Sequence, residues 1–112
     1  MENYKRRVII SGTGSYAPEK VYTNEYLENL VDTNDDWIFN NLGIKERRIA
    51  LDDQCTSDLA AEAAKRAIKN SNLFNKDIDM VIVATATPDR LAPSTACIVQ
   101  DKLKLYQAAA FD

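Results

Sequence analysis

The stretch Asp79-Met80-Val81-Ile82-Val83-Ala84-Thr85 decides the fold class, because it is a continuous apolar run of strand length. Such a run is typical of a strand covered on both faces in a parallel sheet. Residues 57–70 precede it and carry a stripe of apolar, mostly small side chains at helical spacing: Leu59, Ala60, Ala63, Ala64, Ala67 and Ile68. This alternation of helix and strand predicts an α/β protein.

Further elements continue the alternation on both sides. Residues 7–11 predict a strand, after which Gly12-Thr13-Gly14-Ser15 lets the backbone turn tightly. Residues 94–103 predict a helix, and residues 107–112 predict a strand of small side chains. Together with residues 79–85 these make only three strand candidates, and buried parallel strands normally need neighbours on both sides.

Two short helices are predicted between the first strand and the 57–70 helix. Thr23 or Asn24 has the side chain to cap the first of them. Thr33 and Asp36 have the spacing of a capping box for the second, and Gly43 is a natural stop for it.

Composition excludes several classes of function. The 112 residues include 14 basic and 17 acidic side chains, so the net charge of -3 offers no cationic surface for nucleic acid. The apolar run Val8-Ile9-Ile10 is far too short for a signal peptide or a membrane span. We therefore expect a cytoplasmic protein that binds neither nucleic acid nor membrane. The chain has no histidine, which removes the usual general base and the commonest zinc ligand, and we expect no metal site.

The two cysteines, Cys55 and Cys97, are far apart in sequence and lack CxxC spacing. A cytosolic setting disfavours a disulfide, so we expect two thiols. No base in the chain would activate Cys97, which we expect to be a buried small apolar residue of its helix. We expect Cys55 to be a surface loop thiol.

Several local motifs carry a family resemblance when they are taken in order and spacing. They are Ile10–Pro18, Val31–Ile38, Gly43–Arg47, Thr56–Ala60, Val83–Thr85, Pro93–Cys97 and the terminal Ala110-Phe111-Asp112. Together they resemble the N-terminal part of β-ketoacyl-acyl carrier protein synthase III over essentially the whole chain. The resemblance implies a thiolase-like αβαβα fold of two pseudo-duplicated α/β halves. Residues 1–112 would be the N-terminal part of the first half, without the catalytic segment or the second half.

The resemblance also implies a reaction, a decarboxylative Claisen condensation that initiates fatty acid biosynthesis. A cysteine takes the acyl group from acyl-CoA, malonyl-acyl carrier protein supplies the carbanion, and a His-Asn pair assists decarboxylation. The cysteine would follow shortly after Asp112 and the other two residues much later, so we expect no catalytic residue in this chain and no activity from it alone. The expected partners are acyl-CoA, malonyl-acyl carrier protein and a second copy in a homodimer. Coenzyme A thioester is a substrate here, and no cofactor is expected.

A coenzyme A contact is implied at three positions. The tryptophan matching Trp37 stacks on the adenine ring, and the residue matching Thr33 lies beside it. From the residues alone, Trp37 is equally well a core side chain, and Thr33 is more simply a helix cap. The family usually has Arg-Thr where this chain has Asn41-Leu42. Loss of that guanidinium predicts weaker or differently organised binding of coenzyme A.

An acyl-pocket contact across the dimer is implied at Ala92. The family often has a bulky aromatic residue before the proline that matches Pro93, whereas this chain has alanine. The smaller side chain leaves more room, so we expect a longer or branched acyl starter. The alternative is that Leu91 or a residue from elsewhere in the protein fills the space.

Two other functions stay open. One is a related condensing enzyme of secondary metabolism that takes its acyl group from a carrier protein, which the Asn41-Leu42 departure makes plausible. The other is a non-catalytic half that pairs with a complementary chain.

Overall fold

The computed structural model describes residues 7–112, which divide into two compact units. The inserted unit comprises residues 17–55, and the outer unit comprises residues 7–16 and 56–112. Each unit combines helices with a two-stranded sheet, so the predicted α/β class is confirmed. Within the described range, no helix has the length and apolar character that crossing a membrane requires.

The inserted unit begins and ends with strands that pair with each other. Its elements are β1 (Lys20–Thr23), α1 (Asn24–Glu28), α2 (Asp35–Leu42) and β2 (Glu46–Ile49). The two strands are antiparallel, with Lys20 opposite Ile49 and Thr23 opposite Glu46. Neither strand was expected from the sequence.

Two of the predicted helix boundaries in this unit are confirmed. The Thr23 hydroxyl accepts a hydrogen bond from the Tyr26 amide at 3.2 Å, which caps α1. Gly43 ends α2 in the left-handed conformation, with φ of 69°, and its amide donates to the Phe39 carbonyl at 2.8 Å.

The predicted capping box at Thr33 is wrong by one residue. The N-cap of α2 is Asn34, whose side-chain oxygen accepts from the Trp37 amide at 2.8 Å. Asparagine is at least as good a cap as threonine, and this register puts Asp35 and Asp36 together in the first turn beside the positive end of the helix dipole.

Asn24 links the parts of the inserted unit through a buried hydrogen-bond network. Its side chain is 2% exposed, and its amide nitrogen donates to Asp35 Oδ1 and to the Ile44 carbonyl, each at 2.7 Å. Its Oδ1 accepts from the Arg47 guanidinium at 2.6 Å. One amide group therefore joins the start of α1 to α2, to the loop after α2 and to β2.

The outer unit contains a strand-helix-strand arrangement. Its elements are α3 (Thr56–Ser71), a 3₁₀ turn (Asn75–Asp77), β3 (Met80–Ile82), α4 (Thr95–Leu103) and β4 (Ala109–Phe111). The strands are parallel, with Met80 opposite Ala109 and Ile82 opposite Phe111. The buried apolar side chains of this unit are Ala61, Ala96, Val99, Leu105 and Ala108. The predicted helices at 57–70 and 94–103 are confirmed, and the strand expected at 107–112 is present but shorter.

The strand predicted at residues 7–11 is wrong for this structure. These residues have no regular secondary structure, and Val8, Ile9 and Ile10 are 94%, 81% and 86% exposed. A strand exists only where its backbone pairs with another strand, and no strand within residues 7–112 pairs with this segment.

The prediction of a strand covered on both faces at residues 79–85 also needs correction. The strand is limited to Met80–Ile82, and both of its end side chains are more than half exposed, at 54% and 61%. Only Val81 between them is half-buried. The reason is that β3 has one neighbouring strand, β4, among the described residues.

The segment after residue 11 lies close against α3. A Cβ atom on Gly14 would stand 2.3 Å from both the Ala63 carbonyl oxygen and the Ala67 amide nitrogen. Neither Gly12 nor Gly14 has a positive φ, so the expected role of these glycines in a tight turn is replaced by close approach to a helix.

Side chains of α3 hold the same segment in place. The Arg66 guanidinium donates to the Ser15 carbonyl at 2.8 Å, and the Asn70 amide donates to the Thr13 carbonyl at 2.9 Å. The small residues predicted along α3 thus serve close packing, and its polar residues fix the neighbouring backbone.

We predict that Asn24→Ala destabilises the protein by about 2 to 4 kcal/mol, because it removes three hydrogen bonds of a buried side chain, one to a carboxylate and one to a guanidinium. Asn29→Ala is the matched control, since the Asn29 amide donates only to the exposed Glu25 carbonyl, at 2.9 Å. Urea unfolding followed by circular dichroism measures both variants. Equal small losses would contradict a central role for Asn24.

We predict that Gly14→Ala destabilises the protein by at least about 2 kcal/mol, because the new methyl group meets backbone atoms that cannot rotate away. The neighbouring exposed Ser15→Ala should change the free energy of unfolding by less than about 0.5 kcal/mol. Thermal unfolding of the two variants checks the difference. A Gly14→Ala protein as stable as Ser15→Ala would refute the close approach.

Candidate functional site

Trp37 and Ile38 are neighbours on α2 that face different surroundings. Ile38 is 4% exposed and forms the buried face of the helix, whereas Trp37 is 57% exposed. The alternative that Trp37 is a core side chain therefore does not hold in the inserted unit. Its indole ring is available for contact with a ligand.

A cavity of about 190 Å³ lies beside this ring, lined by Asp32, Thr33, Asn34 and Trp37. Thr33 is half-buried there and, since Asn34 caps the helix, it is free of the capping role expected for it. One aromatic face with short polar side chains around it suits a flat, polar heterocycle. The carboxylate of Asp32 disfavours a phosphate at the same place.

Asn41 lies one helical turn after Trp37 and is tied to it. Its amide nitrogen donates to the Trp37 carbonyl at 2.8 Å, a bond that runs back along the helix. Leu42, the other departure from the family pattern, is 60% exposed. The structure thus gathers Trp37, Thr33 and Asn41 on one part of the inserted unit, with no guanidinium at position 41.

Ala92 belongs to the outer unit, in the loop between β3 and α4. It is exposed and is joined to Pro93 by a cis peptide bond. The adjacent Leu91 side chain is fully exposed, at 101%.

Two lining residues of the cavity, Asp32 and Asn34, were not expected from the sequence. The signal for Asn34 was present, since an asparagine followed by two acidic residues is a strong helix start. The sequence offers no comparable signal for Asp32.

The expected exposure of Cys55 is confirmed, whereas Cys97 is less buried than expected. Cys97 is half-buried in α4, and its thiol donates a weak hydrogen bond to the Ala110 carbonyl at 3.9 Å. Cys55 is exposed at the end of the inserted unit. Cys97 is thus a packing residue of α4.

Three titratable side chains, the exposed Lys20 and Tyr26 and the half-buried Tyr22, meet on the inserted unit at β1 and α1. The rings of Tyr22 and Tyr26 lie 4.2 Å apart between centroids. Hydrogen bonding with Tyr26 lowers the pKa of Tyr22 from 10.0, and hydrogen bonding with Tyr22 raises the pKa of Tyr26. Hydrogen bonding to Tyr22 also raises the pKa of Lys20 above 10.5, so its ammonium group stays charged at neutral pH.

No protein-family model matches the chain. Curated relatives do match: a β-ketoacyl-[acyl-carrier-protein] synthase III of Caldanaerobacter subterraneus is 62% identical over 103 residues, 92% of this chain and 31% of the relative. The protein of the same name from Clostridium acetobutylicum is 55% identical over 105 residues, 94% of this chain and 32% of the relative. The chain belongs to the β-ketoacyl-[acyl-carrier-protein] synthase III family. It spans about a third of the length of these curated relatives.

Solved structures agree with the synthase III assignment. The Aquifex aeolicus 3-oxoacyl-[acyl-carrier-protein] synthase III superposes with a TM-score of 0.87 at 48% identity, over 92% of this chain and 33% of that one. The priming β-ketosynthase of the R1128 polyketide pathway superposes with a TM-score of 0.88 at 28% identity, over 96% of this chain and 34% of that one. The chain therefore has part of the thiolase-like fold, as the synthase III motifs predicted.

Proposed function

We propose that a complete protein containing this chain is a condensing enzyme of fatty acid biosynthesis that joins acyl-CoA to malonyl-acyl carrier protein. The observation that carries the proposal is the 62% identity with a curated β-ketoacyl-[acyl-carrier-protein] synthase III over 92% of this chain. In this proposal the protein is a cytoplasmic homodimer without a separate cofactor, and residues 1–112 contribute substrate contacts but no catalytic residue.

The proposed role of this chain is to bind the adenine end of coenzyme A. An exposed indole beside a cavity of about 190 Å³ supports stacking of a base on Trp37, with Thr33 at its edge. The acidic side chain in its lining, Asp32, argues that the phosphates of the nucleotide point away from this cavity.

Asn41 changes the character of this contact. The bond from its amide to the Trp37 carbonyl holds the side chain along the helix, where the family usually has an extended guanidinium. Binding then depends more on stacking than on charge. The affinity for coenzyme A should accordingly vary little with salt, since screening acts mainly on exposed charges.

We predict that coenzyme A quenches the fluorescence of Trp37, which is the sole tryptophan of the chain. Adenosine 3′,5′-diphosphate should compete, and pantetheine should not. By isothermal titration, Trp37→Ala should weaken binding roughly tenfold, the size of one base-aromatic stack. Phe39→Ala is the matched control, because Phe39 is a second exposed aromatic residue on α2, at 44%.

Binding that survives Trp37→Ala unchanged, or that pantetheine abolishes, would refute the adenine contact. A complete protein that condenses acyl groups but shows no coenzyme A binding would favour a second candidate, a condensing enzyme of secondary metabolism that takes its acyl group from a carrier protein. The similarity to the R1128 priming β-ketosynthase, with its TM-score of 0.88, supports that candidate.

We predict that the complete protein prefers a longer or branched acyl-CoA to acetyl-CoA, because Ala92 leaves space that a larger side chain would occupy. Ala92→Phe should shift the ratio of kcat/KM values toward acetyl-CoA, relative to the longer acyl-CoA, by roughly tenfold or more. A single methylene group of a substrate already has an effect of about this size in a hydrophobic pocket. Leu91→Ala, at a fully exposed neighbour, should leave the ratio unchanged. A clear preference of the unsubstituted enzyme for acetyl-CoA would overturn the prediction.

A further inference from the structure

Side chains of helix α4 bind the backbone of strand β4 and of the residue before it. The Gln100 amide nitrogen donates to the Ala108 carbonyl at 2.6 Å, and the Cys97 thiol donates to the Ala110 carbonyl at 3.9 Å. The two acceptors are alternate residues, so they lie on the same side of the chain. The helix therefore contacts the chain just before β4 and at the middle residue of β4, two residues apart.

Asp112 is the next alternate residue after Ala110, and it contacts the N-terminus of α4. Its carboxylate oxygens accept hydrogen bonds from the Thr95 amide at 2.7 Å and from the Ala96 amide at 2.6 Å. Both short bonds place a negative charge at the positive end of the helix dipole. The carboxylate is therefore bound through both of its oxygens to two consecutive amides.

These two amides belong to the most buried part of the outer unit. Thr95 and Ala96 are both 0% exposed, so water does not replace a lost partner there. The next amide, that of Cys97, is bonded to the Ser94 hydroxyl at 3.3 Å, a contact that involves only α4 and its own cap. Asp112 is thus the cap that joins the helix to the strand, and Ser94 is the cap that does not.

Strand β4 needs such an anchor. It pairs over only three residues, and β3 is its one neighbouring strand among residues 7–112. Its last backbone hydrogen bond to β3 runs from the Val83 amide to the Phe111 carbonyl, at 3.2 Å, so the residue after Phe111 needs further bonds to be held. The carboxylate supplies two.

We propose that Asp112 is a positioning residue, whose carboxylate fixes the end of β4 on α4 and so sets the course of the chain that follows. The inference rests on the proposed function, in which the reactive cysteine comes shortly after this position. A displacement of about 1 Å in such a group is enough to slow a reaction on the order of a hundredfold.

The test uses a full-length synthase III protein that contains residues 1–112 of this chain. Asp112→Ala removes both hydrogen bonds, Asp112→Asn keeps one acceptor, and Ser94→Ala removes a cap from the same helix end without releasing β4. For each protein, the melting temperature, the kcat and KM of condensation, and the pH profile of iodoacetamide alkylation at the reactive cysteine are measured, the last by peptide mass spectrometry.

We expect all three variants to lose thermal stability. Asp112→Ala should lower kcat and the alkylation rate on the order of tenfold to a hundredfold with KM for the acyl donor unchanged, and Asp112→Asn should fall between it and the unsubstituted protein. Ser94→Ala should keep both rates at its lower melting temperature.

Two outcomes overturn the inference in different ways. An active protein in which Asp112→Ala and Ser94→Ala lose rate only in proportion to stability shows that Asp112 is a cap and nothing more. An unsubstituted protein with no condensing activity removes the proposed function, and this inference with it.

Discussion

The buried N-terminus of α4 is the constraint on which the outer unit depends. A parallel pair such as β3 and β4 needs a crossover helix, and burying that helix removes its first amides from water. Leaving an amide of this kind unsatisfied costs about 1 to 3 kcal/mol, so the fold requires an acceptor at that point. Asp112 meets the requirement and ties the last strand to the helix at the same time.

The inserted unit has a different constraint, because few of its apolar side chains are buried. Ile38 and Pro18 are its only buried apolar side chains among the described residues, so the unit cannot depend on a hydrophobic core alone. The hydrogen bonds of Asn24 also stabilise the unit, because they join two helices and a strand through one side chain. Because α2 directs Ile38 inward, the neighbouring Trp37 is left on the surface, and the candidate site follows from how the unit is stabilised.

Most local signals in the sequence were interpreted correctly, with the cap of α2 and the Gly12–Gly14 turn as exceptions, and long-range ones were not. The stripe in α3, the start of α4 near residue 94 and the Gly43 stop each depend on residues within a turn or two, and each was predictable. The strands β1 and β2 were missed because they are short and partly charged, with pairing partners more than twenty residues apart. The error at residues 7–11 was the opposite one, a strand predicted where none exists. An apolar run forms a strand only when a partner strand is present.

The candidate site was predictable only as far as the family motifs reached. They pointed to Trp37, Thr33 and Asn41, and the structure places all three on one part of the inserted unit. They did not reveal that Asn34 caps the helix, which depends on a one-residue choice between two good caps. The contact of Asp112 with Thr95 joins residues 17 positions apart, which no local pattern reports.

The pairing of β1 with β2 has a consequence for how this part of the family can change. The chain enters and leaves the inserted unit on adjacent antiparallel strands, with Lys20 opposite Ile49, so its two crossing points are held side by side. The segment between the two strands can gain, lose or exchange residues without moving the ends of β1 and β2. The sequence between β1 and β2 can therefore change during evolution while the outer unit, with its own network around α4, keeps its sequence.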